Sequence, residues 1–222
     1  MNDNWQQIIS IAHTKIPDIQ AIICYGSRII NTARPDSDYD IIIIADGEWD
    51  MKKRLGLSRY LSEGSEFQIN ATIMNPGAFG KGMRMAPYLQ IAWEMGIVNG
   101  DLASLGEIMP FSKLGAYNEL GNIKIELDDH FERQGHLDWL RKALRMAWYL
   151  RHIVQDDLSL VQISAMKRKI KCWSSDKLVR ALQDEITTLT TAIEQMKKNK
   201  SDVQLEASLN GKNTKLAERM VV

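Results

Sequence analysis

Trp5, Ile8, Ile9 and Ala12 recur at helical spacing, which predicts an amphipathic helix over residues 4–14 that Pro17 ends. Ile19 to Tyr25 is short, β-branched and apolar, the pattern of a buried strand, and it stops at Gly26. Ser27 to Thr32 fits one or two helical turns, and Ala33 to Ser37 is a polar turn punctuated by Pro35. Tyr39 to Ala45 is a second strand, whose four successive isoleucines predict burial on both faces. Asp50 to Leu61 reads as a helix. In Phe67 to Met74, apolar Phe67, Ile69 and Ala71 alternate with polar Gln68, Asn70 and Thr72, which predicts a half-buried third strand. Pro76, Gly77, Gly80 and Gly82 predict a loop.

From Pro87 onward the period is helical, with Leu89, Ala92, Trp93 and Gly96 on one face. A glycine-containing stretch around Gly115 and Gly121 follows. Residues 123–155 then predict one long helix, or two meeting at Gly135, with further helices over 159–173 and 175–198. The polar tail from Asn199 to Val222 is expected to be loosely ordered. The fold class is therefore α+β. A small mixed sheet flanked by helices occupies residues 1–110, an all-α bundle residues 111–200, and a polar tail residues 201–222.

Composition changes this picture little. At 222 residues, 45% apolar and 25% charged, the chain can bury a core without staples. No run approaches the roughly 18 apolar residues of a membrane span. The opening Met-Asn-Asp-Asn-Trp lacks the basic and apolar regions of a secretory signal. Cys24 and Cys172 stand far apart in no metal or redox spacing, so a cytoplasmic setting is the expectation. Net charge is zero, but residues 1–129 carry −6 and residues 130–222 carry +6. Such a split suits either two modules facing a metal-bound polyanion or two differently solvated surfaces.

The chemistry concentrates in Cys24-Tyr25-Gly26-Ser27-Arg28 and Pro35-Asp36-Ser37-Asp38-Tyr39-Asp40-Ile41. Gly26, lacking a Cβ, lets backbone approach a ligand closely. Ser27 at a helix start would add a hydroxyl to unpaired backbone N–H groups, which favour phosphate. Asp38 and Asp40 are two apart on a strand, so their carboxylates share a face and repel unless a cation lies between them. Hard oxygen donors on one side and phosphate on the other suit Mg2+, and the combination suits attack on a nucleotide α-phosphate.

The run "YGSRIINTARPDSDYDIII" resembles the signature of the polymerase β-type nucleotidyltransferases, and most of all their small bacterial branch of minimal nucleotidyltransferases and aminoglycoside adenylyltransferases. The likeness spans Ile23 to Ile44 and continues more weakly through the third strand and "YLQIAWEMGIVNGD". By resemblance Gly26 and Ser27 hold the triphosphate and Asp38 and Asp40 hold the metal, and Arg28 joins Gly26 and Ser27 as a nucleotide-binding candidate whose charge would neutralise phosphate. The resemblance implies transfer of a nucleoside monophosphate, most often AMP from ATP, onto a hydroxyl of an aminoglycoside-like small molecule, a protein or RNA. It also implies a helical, HEPN-like bundle after the nucleotide domain, and Leu137 to Leu150 resembles the opening helix of such bundles. That helical half is also where a second copy or a protein partner is expected to meet the chain.

Two departures stand out. Asn31 replaces a usual second glycine, a mild change because Asn tolerates left-handed backbone. The family's third carboxylate, a metal ligand or general base, falls at Asn70 or Gln68, and an amide cannot accept the proton. Glu66 has the right parity to replace it, and Glu126, Asp128 or Asp129 from the helical half are alternatives. The remaining reading is a catalytically weak or inactive nucleotide-binding regulator or antitoxin-like module. Elsewhere, Lys167 to Lys171 is expected to be a solvated basic helix face, and the Arg145/His152 spacing a coincidence. His130 and His136 lack metal-ligand spacing. Trp139, Trp148 and Trp173 are expected in the core, and Arg28 and Arg34 flank the phosphate loop.

Overall fold

The computed structural model describes residues 3–105, 108–133, 137–198, 200 and 202–204. The chain divides into two compact units, Met1–Pro110 and Phe111–Val222. The first holds α1 (Asp3–Lys15), β1 (Ile19–Tyr25), β2 (Tyr39–Ala45), α2 (Met51–Ser62), β3 (Ile69–Met74), α3 (Pro76–Met85), α4 (Pro87–Met95) and β4 (Ile97–Gly100). The second holds α5 (Lys113–Arg133), α6 (Leu137–Gln155), α7 (Leu160–Lys169), a short 3-10 turn at Ile170–Cys172, and α8 (Ser175–Gln195). The fold is α+β, as the residue pattern predicts.

The strands form one sheet in the order β3-β2-β1-β4. β1 runs antiparallel to both β2 and β4, and β2 runs parallel to β3. The period of two along β2 explains its unbroken isoleucines. Tyr39, Ile41 and Ile43 pack with α1 and α2 residues such as Trp5, Ile8 and Leu61. Ile42 and Ile44 pack on the other face, with Phe79, Met83 and Leu89 of α3 and α4. The free edge of β3 is protected by α2. Ser58 Oγ accepts from the Ala71 N–H at 2.9 Å, and Ser62 Oγ accepts from the Ile69 N–H at 3.0 Å.

Several predicted boundaries need correction. The segment from Pro76 is a helix, not a loop. Asn75 caps it by accepting from Ala78 N, Pro76 takes the first helical position, and Phe79 and Met83 bury one face. Gly82 serves packing, for a Cβ there would lie 2.5 Å from Leu89 Cδ1, whereas a Cβ on Gly80 would meet nothing within 4 Å. Gly115 and Gly121 likewise lie inside α5, which begins ten residues before the expected start because Ala116, Leu120, Ile123 and Leu127 continue its buried stripe. Gly96 lies just past α4 in extended backbone rather than on its face. Of the two readings for residues 123–155, one helix or two, the structure has two, while Gly135 and nearly all of the polar tail lie outside the described residues.

The helical unit is organised around α6, which buries Leu140, Ala143, Leu144, Ala147, Trp148 and Leu150. Trp148 is buried and Trp173 packs against this core, but Trp139 is 49% exposed, contrary to expectation. It precedes Leu140 by one position and so sits about 100° away from the buried stripe. Ser159 closes α7 with a reciprocal capping box, and Ser174 caps α8. No described helix is long and apolar enough to cross a membrane.

Candidate nucleotide site

Burial of Tyr39 sets the geometry of the site. Its ring meets Trp5 edge-on at 4.9 Å and Phe67 at 5.5 Å, and its hydroxyl accepts from Asn4 Nδ2 at 2.9 Å. With Tyr39 pinned on one face of the sheet, Asp40 projects from the other by strand alternation. Antiparallel register places Asp40 opposite Tyr25, so the chain leaves β1 at Gly26 directly beside this carboxylate. Gly26 has φ +87°, and a Cβ there would lie 2.2 Å from Asp40 Oδ2. Only glycine fits this contact.

The residues after Gly26 correct one expectation. Ile29 and Ile30 N–H groups both reach Gly26 O, at 3.1 and 3.4 Å, and Thr32 N–H reaches Ser27 O at 2.9 Å. Asn31 at φ +55° closes the chain on itself before a helical ladder is established, so the segment is a turn and offers no helix N-terminus. Asn31 thus uses the left-handed tolerance for which it was noted. The hydroxyl of Ser27 makes no hydrogen bond among the described residues.

Arg28 is turned to a structural task. Its Nε donates to Ser37 O at 2.9 Å, its Nη2 donates to Pro35 O at 3.1 Å and also to Ser37 O, and its guanidinium stacks 4.1 Å from the Tyr39 ring centroid. Ser37 Oγ accepts from Arg34 N at 2.9 Å, completing a compact turn that delivers Asp38 to the start of β2. Arg34 pairs loosely with Asp36 at 3.5 Å on the surface. Asp38 itself is half-buried and makes no hydrogen bond or ion pair among the described residues.

The third-carboxylate candidates separate into two groups. Parallel register sets Asn70 directly beside Asp40, and Asn70 Nδ2 donates to Asp40 Oδ1 at 2.8 Å. Glu66 and Gln68 instead line a cavity of about 430 Å3 with Asn4, Arg28, Asp36 and Ser37. Gln68 also binds the Tyr39 N–H through its carbonyl at 2.8 Å. Among the described residues, no three His, Cys, Asp or Glu side chains gather closely enough to hold a metal. Asp38 and Asp40 still fit Mg2+, which is commonly bound through one or two carboxylates with substrate phosphates completing its shell.

Glu126, Asp128 and Asp129 lie on α5 in the helical unit. Glu126 and Asp129 line a cavity of about 460 Å3 there with Trp139 and Lys142, and Asp128 is exposed. His152 is buried, with Nδ1 2.8 Å from Leu158 O, and His130 Nε2 meets Ser175 Oγ at 3.0 Å; His136 lies outside the described residues. Burial pushes the Cys24 thiol up to about 12, so it behaves as a small core residue rather than a nucleophile, and Cys172 is free and exposed.

Residues 6–78 match the family described as polymerase beta, nucleotidyltransferase. The match covers roughly a third of the chain and contains Gly26, Ser27, Asp38, Asp40 and Asn70. Similar solved structures include a spectinomycin adenyltransferase, AAD(9), from Enterococcus faecialis with ATP and spectinomycin. It is 13% identical, covers 85% of this chain and 98% of its own, and has a TM-score of 0.47. A toxin-antitoxin structure with AMP-PNP is 20% identical, covers 59% of this chain and 93% of its own, and has a TM-score of 0.35. None of the curated proteins compared with the chain matches it.

Proposed function

We propose that this nucleotidyltransferase-type protein moves a nucleoside monophosphate, AMP from ATP, onto a hydroxyl with Mg2+ as cofactor. The observation that carries this reading is the seating of the Asp40 carboxylate against Gly26, with Asp38 two residues before it and without a protein partner among the described residues. Asp38 and Asp40 would hold the metal, which supplies charge neutralisation at the phosphates and in-line orientation of the α-phosphate. Gly26 admits backbone close to the β and γ phosphates, and the Ser27 hydroxyl donates to them. Arg28 acts on the chain, holding the turn that fixes Asp38. The reaction is assigned to residues 1–110, with an aminoglycoside-like antibiotic, a protein or RNA as acceptor classes. Glu66 is the carboxylate assigned to take the acceptor proton.

A second reading rests on Asn70. An amide in register with Asp40 cannot remove a proton, which favours a weakly catalytic nucleotide-binding regulator or antitoxin-like module. Thermal melting with each of the four NTPs, with and without Mg2+, tests the shared premise. A nucleotide at 100 times its Kd adds about 2.7 kcal/mol of stability. The expected result is a Mg2+-dependent shift for ATP that Asp38→Ala/Asp40→Ala abolishes; no shift with any NTP sinks both readings. Turnover lost in Glu66→Ala supports the enzyme, whereas turnover gained only in Asn70→Asp supports the regulator.

A further inference from the structure

The basic run Lys167 to Lys171 does not form the uniform solvated face expected of it. Arg168, Lys169 and Lys171 are exposed and Lys167 is half-buried, and Lys167 and Lys171 line a cavity of about 330 Å3 together with Asp138, Arg141, Arg145 and Ile170. Four cations therefore face one carboxylate. That carboxylate is taken, because Asp138 Oδ1 accepts from Arg141 Nη1 at 2.8 Å. Arg141 is also spent on backbone, with Nη2 donating to Lys171 O at 2.9 Å and Nε to Ile170 O at 3.4 Å.

Basic side chains at the end of a helix ordinarily serve its exposed carbonyls and its negative dipole end. Here Arg141 already serves the carbonyls after α7, and Arg145 comes from the middle of α6, where there is no such demand. Arg145 is half-buried and makes no hydrogen bond or ion pair among the described residues. The Lys167 ammonium donates to the Tyr149 hydroxyl at 3.0 Å and lies 5.5 Å from that ring's centroid, so its position is fixed by a neutral group. Two half-buried cations, Arg145 and Lys167, held in one concavity whose single carboxylate, Asp138, is paired with Arg141, carry a desolvation cost that an anion would offset. A planar guanidinium beside a point-charge ammonium is a donor set suited to phosphate oxygens.

We propose that this cavity binds a small polyphosphate, inorganic or carried by a nucleotide. The cavity, about 330 Å3, has room for a few phosphate groups, and its lining has no aromatic ring on which the bases of a nucleic acid would stack. The inference stands without the Gly26–Asp40 site, since it rests on residues of the helical unit alone.

The test is isothermal titration of the full chain with inorganic tripolyphosphate in EDTA, which removes any metal-dependent binding. One saturable site is expected, weakening as salt rises. Arg145→Gln and Lys167→Gln should each weaken it by about tenfold or more, equivalent to about 1.4 kcal/mol. Arg168→Gln/Lys169→Gln and Asp38→Ala/Asp40→Ala should leave it unchanged, and far-UV circular dichroism checks that each variant folds. Competition by ATP in EDTA assigns the nucleotide form, and its absence the inorganic form. No heat of binding, or equal weakening by Arg168→Gln/Lys169→Gln, overturns the proposal. Tighter binding of a short RNA through Arg145 and Lys167 also overturns it, in favour of a nucleic-acid surface.

Discussion

Two pairs of carboxylates in this protein are treated in opposite ways. In the helical unit, Arg151 bridges Asp157 at 2.6 Å and Glu185 at 3.1 Å, so one guanidinium serves both acids. The hydrogen bond from Arg151 holds the Asp157 carboxyl below its usual value, whereas burial pushes Glu185 up despite the same cation. In the sheet unit, Asp40 is set against a bare glycine and an amide, and Asp38 makes no hydrogen bond or ion pair among the described residues. The first pair is neutralised by the chain and pins α6 to α8. The second has no such bridge: Asn70 donates to Asp40, and no cation of the described residues pairs with Asp38.

Removing the shared cation should show the largest effect. Arg151→Ala leaves Glu185, whose side chain is only 13% exposed, without its partner. The expected loss is about 3 kcal/mol, the low end for breaking a buried pair, read by urea unfolding at neutral pH. The Mg2+-dependent nucleotide shift should survive in that variant, and its loss would break the division between the two pairs.

Gly26→Ala probes the other pair. The left-handed backbone alone costs about 1–2 kcal/mol, and the new Cβ must displace Asp40 Oδ2. Melting should show a modest drop without ligand and no remaining shift with Mg2+ and ATP. An intact shift would mean that the contact of Gly26 with Asp40 is packing alone.

Asn70→Asp replaces a donor to Asp40 with a like charge. Stability without metal should fall by about 1 kcal/mol, and Mg2+ should restore it. A variant as stable as the parent in EDTA would show that the amide does not position Asp40.

The smallest effect is on the acid side. Asp157 contributes stability that is complete above its ordinary value of 3.8 and is lost as pH falls from there through its lowered value. Glu185 acts in reverse, because the folded protein keeps that proton longer: stability falls as pH rises from 4.5 through its raised value. Asp157→Asn should flatten the acid limb of a melting-temperature profile. An unchanged limb would show that Arg151 fastens the bundle through Glu185 alone.

Much of this arrangement was legible along the chain. The bounds of β1 and β2 follow from runs of isoleucine bracketed by Pro17, Gly26 and Pro35, and the opposite projection of Tyr39 and Asp40 follows from strand alternation. The special place of Asn31 was visible in its identity. The helix α3 was not, because three glycines hid a stripe that only Phe79 and Met83 carry. The strand β4 spans four residues and is held by its register with β1, so no local period announces it. Arg28 looked like a phosphate ligand because its neighbours do, and its stacking on Tyr39 depends on a turn formed nine residues later.

The sequence by itself determined which residue types stand at the candidate site, the faces on which they project, and the substitution of an amide for a carboxylate. These depend on identity and on periods of two and 3.6, which the backbone imposes locally. Tertiary structure decided which amide meets Asp40, where Glu66 lies, and that Lys167 is the half-buried cation of the basic run. Those outcomes depend on strand register and on the packing of α7 against α6, through contacts such as Lys167 with Tyr149, 18 positions apart, and Asn70 with Asp40, 30 apart, that no local pattern encodes.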